Sequence, residues 1–121
     1  RLPYADTLAR IAAADAVVQT SIGFETQGMT PFEAATLGTP SIVSDPDIAA
    51  ELRGGLWAVP AADQPEPARV AALAETLRAA ASDIAAGRAP EPDADVAAEF
   101  RQSSRTAAMI EVYERVLAGT L

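Results

Sequence analysis

The chain has neither cysteine nor histidine, and those absences together remove disulfides, thiolate zinc sites, a cysteine nucleophile and an imidazole base. Any chemistry it performs must come from carboxylates, hydroxyls, arginines or backbone dipoles. Lysine is missing too: the nine basic residues are all arginine, a bias from which no function follows. Apolar runs are broken by charge well short of the roughly 20 residues that span a bilayer, so no transmembrane segment is expected. The N-terminus lacks the basic-then-apolar pattern of a signal peptide. A concentration of positive charge is also lacking. The formal net charge is −8, which argues against nucleic acid as a partner, because phosphate-backbone binders gather basic residues on one face. Any phosphate bound here must be held locally.

What is present is a chain of 121 residues, half of them hydrophobic, enough for one small domain with a real core. Arg1 in first place, where Met would initiate a chain, leads us to expect an engineered, processed or excised piece of a longer protein.

Residues 6 to 14 predict a helix with Asp6 as its cap and Leu8, Ile11 and Ala12 on one face. Ala16-Val17-Val18-Gln19-Thr20 is a short apolar run suited to a buried parallel strand. Thr30-Pro31-Phe32-Glu33 then opens a helix, with Thr as cap, Pro at the first position and Glu at the third, and Gly38 stops it. Ser41-Ile42-Val43-Ser44 is the next strand. Ser44-Asp45-Pro46-Asp47 pairs a cap with a proline to start a short helix to about Leu52, and Leu56-Trp57-Ala58-Val59 is a third strand ended by Pro60. From about Ala68, residues Val70, Leu73, Leu77, Ala80 and Ile84 form a helical stripe that ends at Gly87. A last helix from about Asp95 carries Val96, Phe100, Ala107, Ile110, Tyr113 and Leu117 along one side, which requires something to pack on.

This alternation predicts an α/β fold, a Rossmann-like parallel sheet with helices on both faces. About three strands are present where an open doubly wound sheet has roughly five or six, so the first strands are expected upstream of Arg1, leaving one sheet edge uncovered. We divide the chain into a partial Rossmann-like domain at residues 1–87, a loop at 88–94 and a C-terminal helix at 95–121 that packs on the domain.

Ligands of open α/β sheets bind beyond the carboxyl ends of the strands, where the loop carrying Glu25 leaves the first strand. That loop enters a helix whose first amides, around Gly28, Met29 and Thr30, lack partners inside the helix and favour an anion. Gly28 lets the backbone approach an oxygen closely. A phosphate can therefore be held without lysine.

Residues 4 to 60 resemble the nucleotide-sugar-binding half of the retaining glycosyltransferases of family 4 (group 1), enzymes of the GT-B architecture with two facing Rossmann-like domains. The resemblance rests on Ala14-Asp15-Ala16-Val17-Val18 leading to Thr20-Ser21, then Glu25 and Glu33 with seven residues between them. It continues through Gly28-Met29-Thr30-Pro31-Phe32-Glu33-Ala34, Gly38-Thr39-Pro40, Glu51 and Gly55-Leu56-Trp57-Ala58-Val59-Pro60. Where the family commonly has glycine after the first glutamate, this chain has Thr26; where it often has two glycines before the later glutamate, this chain has Asp47-Ile48-Ala49-Ala50-Glu51.

The resemblance implies a truncated C-terminal half of a GT-B enzyme, binding a nucleoside-diphosphate sugar, with the acceptor domain and the basic diphosphate clamp upstream and absent. It implies that Glu25, the catalytic position, hydrogen-bonds hydroxyls of the donor sugar. Gly28, Met29 and Thr30 would hold the sugar-bearing part and distal phosphate, and Glu33 the nucleotide ribose. It implies no cofactor, no metal and a cytoplasmic location, with room for peripheral membrane association of the full-length enzyme. Alternatives stay open: a non-catalytic nucleotide-binding or assembly module that self-associates through the uncovered sheet edge, or a GT-B-fold nucleotide-sugar epimerase. Glu33 also has a local reading, as the Glu of a Thr-x-x-Glu box folded back on Thr30; Glu25 can be read as a solvated loop charge, and Glu51 as a surface charge. With no base to activate a hydroxyl, Ser21 and Thr30 are not read as nucleophiles.

Overall fold

The computed structural model of the protein describes residues 2–23 and 28–120. Helix α1 (Tyr4–Ala13) leads into strand β1 (Val17–Gln19), helix α2 (Met29–Thr36), strand β2 (Ser41–Val43), helix α3 (Pro46–Leu52) and strand β3 (Leu56–Ala58). Helices α4 (Glu66–Ala85), α5 (Ala94–Glu99) and α6 (Gln102–Leu117) complete the chain. The strands form one parallel sheet in the order β1-β2-β3. Val18, Ile42 and Trp57 stand in register across it, as do Gln19, Val43 and Ala58.

Side chains alternate across a strand, and that alternation divides the core between two faces. Val43 points to the side of α2, α3 and α5, where it packs with Phe32, Ile48, Leu52 and Val96. Its neighbour Ile42 points the other way, to Val59 and Ala80, with Trp57 and Leu73 beside them. The helices thus cover both faces of an α/β sheet, an arrangement compatible with a Rossmann-like fold. Helix α4 lies over β2 and β3. Val18, on the same face but one strand further out, stays 47% exposed.

Caps decide where the helices start, and two differ from expectation. Helix α1 begins at Tyr4 with Pro3 in the cap position, so Asp6 falls inside the first turn, where a negative charge suits the helix dipole. Helix α2 begins at Met29 with Gly28 in the cap position and no side-chain cap, so Thr30 is already helical and its box with Glu33 does not form. Helix α3 starts as the sequence suggests: Asp45 accepts from the amides of Asp47 at 2.9 Å and Ile48 at 3.2 Å, with Pro46 at the first position. Asp93 caps α5 in the same way, through the amides of Asp95 and Val96.

Gly55 precedes β3 with φ +66, and a Cβ there would stand 2.3 Å from the Cα of Pro92. Only glycine supplies both that conformation and that clearance. The contact pins the 88–93 segment against the sheet and so brings α5 onto α2.

The helix expected from Asp95 onward is two helices. The short α5 packs on α2, and Phe100, which follows it, stacks on Phe32 with ring centroids 4.1 Å apart. Residues 101–120 are all exposed, so the stripe of Ile110, Tyr113 and Leu117 does not pack on the described residues. Among the described residues, no helix is long and apolar enough to cross a membrane.

Candidate functional site

The carboxyl ends of the three strands feed the loops 20–23, 44–45 and 59–65. Asp45 ties two of them together. Besides capping α3, its Oδ2 accepts from the amide of Gly23 at 2.8 Å, which fixes the exit of β1 to the exit of β2. That amide is the main reason the Asp45 carboxyl is held below its ordinary pKa of 3.8; the Ile48 and Asp47 amides lower it further, against the opposing effect of burial. In the sequence Asp45 belongs only to a cap-and-proline helix start, and its bond to Gly23 links residues 22 apart.

Glu25, with Phe24, Thr26 and Gln27, lies outside the described residues. Gly28 is buried at the start of α2 with φ −68, a conformation open to any residue. Met29 and Thr30 are exposed in the first turn. The first amides of a helix lack intrahelical acceptors, and no side-chain cap serves this turn among the described residues.

Glu33 sits one turn further on, on the side of α2 opposite the sheet-facing Phe32 and Ala35. Its Oε1 accepts a 2.6 Å hydrogen bond from the Tyr4 hydroxyl of α1. The phenol's pKa is raised above its ordinary 10.0, chiefly by this hydrogen bond, then by desolvation and by the carboxylate's charge.

Met29 and Glu33, four residues apart on one helix face, line a groove of about 550 Å³ closed by Tyr4, Phe100, Arg101 and Arg105. The Arg105 guanidinium lies 3.9 Å from the centre of the Phe100 ring and pairs with Glu99 at 3.4 Å. Arg101 forms no ion pair among the described residues. The groove therefore offers a carboxylate able to accept from hydroxyls, a guanidinium free for an anion, and two aromatic rings. Nothing in the sequence flagged Tyr4, Arg101 or Arg105, which come to this groove from far along the chain. Glu51 is exposed on α3.

On the opposite face, where α4 meets the same carboxyl edge, there is a smaller hollow of about 220 Å³ among Thr20, Ser44, Val59 and Arg69. Compared with protein-family models, with curated proteins and with solved structures, the chain matches none.

Proposed function

We propose that the chain is the donor-binding domain of a retaining glycosyltransferase and holds a nucleoside-diphosphate sugar. The observation that carries this reading is Glu33: freed from the capping box, it faces a groove that also holds an unpaired guanidinium and aromatic rings. A carboxylate so placed accepts from two vicinal hydroxyls at once, which suits a ribose. The first turn of α2, at Gly28, Met29 and Thr30, is a site for the distal phosphate, where its amides stabilise the departing diphosphate as charge develops. Glu25, three residues before Gly28 in the chain, would take hydroxyls of the donor sugar.

In the reaction that the resemblance implies, the sugar passes to an acceptor with retention of configuration while the leaving phosphate accepts the acceptor's proton. The acceptor-binding half would come from an N-terminal domain, so the 121-residue chain alone should transfer no sugar.

The test is calorimetric or NMR titration of the chain with uridine, guanosine and adenosine diphosphates and their sugar conjugates. Glu33→Ala should weaken bare nucleotide by roughly tenfold or more, and Glu25→Ala should weaken only the sugar conjugates. Nucleotide affinity unchanged by Glu33→Ala would remove the reading, as would no saturable binding up to about 10 mM.

One observation favours a second reading, an assembly module. Residues 101–120 are all exposed, with Tyr113 at 62% and Leu117 at 88%. A helix of that composition suits a protein partner. Association that proceeds identically in Glu33→Ala, with no nucleotide binding, would favour it.

A further inference from the structure

Among the described residues, four arginines pair with carboxylates: Arg53 and Arg105 with Glu99, Arg78 with Glu75, and Arg88 with Asp83. Arg69 makes no such pair among them. It lines the hollow between the strand ends and α4, and its Nε is buried with no hydrogen-bond partner. Glu66 stands one turn away on the same helix and lines the same hollow, yet the pair that i,i+3 spacing allows is not made. A buried N–H of a charged group left without an acceptor is costly, by about 1–3 kcal/mol or more. The rest of the wall offers little relief, because Ile22, Val59, Pro60, Val70 and Leu73 bring only apolar side chains to it. Thr20 and Ser44, at the exits of β1 and β2, form its polar side.

We propose that this hollow binds a small aliphatic carboxylate, its anionic group on the Arg69 guanidinium and its hydrocarbon body against Val59, Val70 and Leu73. The guanidinium fork matches a carboxylate with two parallel hydrogen bonds. A doubly charged phosphate fits worse: one guanidinium would leave it uncompensated beside Glu66, in a chain already at −8. The volume sets the size. An apolar cavity of about 150 Å³ holds a benzene ring, so about 220 Å³ admits a branched acid of roughly six carbons together with its carboxylate. The position agrees with the general rule that open parallel sheets bind small molecules beyond the carboxyl ends of their strands. The site is on the α4 face, away from the groove of Glu33, and does not depend on the donor-binding reading.

The experiment is a titration of the uniformly ¹⁵N-labelled chain with 4-methylpentanoate, 4-methylpentan-1-ol, acetate and inorganic phosphate, following the arginine Nε–H resonances and the amides of Thr20, Ser44 and Val59. The branched acid should give saturable shifts at Arg69 Nε–H and at those amides, and should bind at least about tenfold more tightly than the alcohol or acetate. Arg69→Gln should abolish that preference for acid over alcohol while leaving the spectrum elsewhere in place. Val70→Trp, at an exposed lip of the hollow, should block both ligands without touching the guanidinium. It serves as the second variant should Arg69→Gln unfold. Equal binding of acid and alcohol would overturn the proposal. So would phosphate binding as tightly as the acid, binding that survives both substitutions, or no saturable shift up to about 20 mM.

Discussion

Asp45 carries more of this fold than its place in a turn suggests, because one carboxylate serves three amides, one at the exit of β1 and two in the first turn of α3. Asp45→Ala should lower stability by about 1–3 kcal/mol, the sum of a lost cap and a lost charged hydrogen bond, as read from urea unfolding. The pH dependence has a definite sign. A carboxyl held below its ordinary value contributes stability that is present above about pH 4 and is lost as pH falls through the folded-state pKa. Asp45→Asn should therefore flatten the fall of unfolding free energy on acidification below about pH 4; an unchanged slope would contradict the assignment. Tyr4 is the opposite case. Its bond to Glu33 holds at neutral pH and is lost as pH rises through a raised phenol pKa. Glu33→Gln should bring the ionisation of Tyr4 to lower pH in an ultraviolet absorbance titration. Gly55→Ala should cost about 2 kcal/mol or more in chemical unfolding, since it combines a left-handed backbone with a clash on Pro92.

Among the elements, α2 and α6 are extremes. Helix α2 is short, yet it buries Pro31, Phe32, Ala34 and Ala35 and touches α1, α3, α5 and two strands. Tertiary packing holds it without a side-chain cap. Helix α6 buries nothing. An isolated helix of 16 residues is marginal in water, so amides beyond Arg105 should exchange with solvent nearly as fast as in an unfolded chain, while those of β2 should be the slowest. Ending the chain after Arg105 should keep the Phe100 and Arg105 contacts and change the unfolding free energy by less than about 1 kcal/mol. A larger loss would mean that α6 packs on this domain after all.

Over the whole molecule, the two cores meet at the sheet, with Val43 and Leu56 serving one face and Ile42 and Trp57 the other. A defect on either side should then be felt on both. Trp57, the single tryptophan, sits on the α4 side with its Nε1 donating to Asp83 at 3.0 Å, so its fluorescence reports that face. Phe32→Ala, on the other face, should destabilise by about 3–5 kcal/mol. It should move the Trp57 transition and the far-ultraviolet circular dichroism transition by the same amount. Transitions that separate would show that the α4 face unfolds on its own.

The three strands, the start of α3 and the stops at Gly38 and Gly87 were legible in the amino-acid order, because each is set by apolar alternation or turn chemistry within a few residues. Glu33 shows where local reading ends: its position at the third helical residue suited a bond to Thr30, and a tyrosine 29 residues away took it instead. The same holds for Gly23 with Asp45, and, among the described residues, for the unpartnered Nε of Arg69 and the uncovered stripe of α6. Local propensities act along the chain and can be read there. Which charge finds a partner, and which apolar face finds cover, depends on what the fold brings alongside it, and only the tertiary structure decided that.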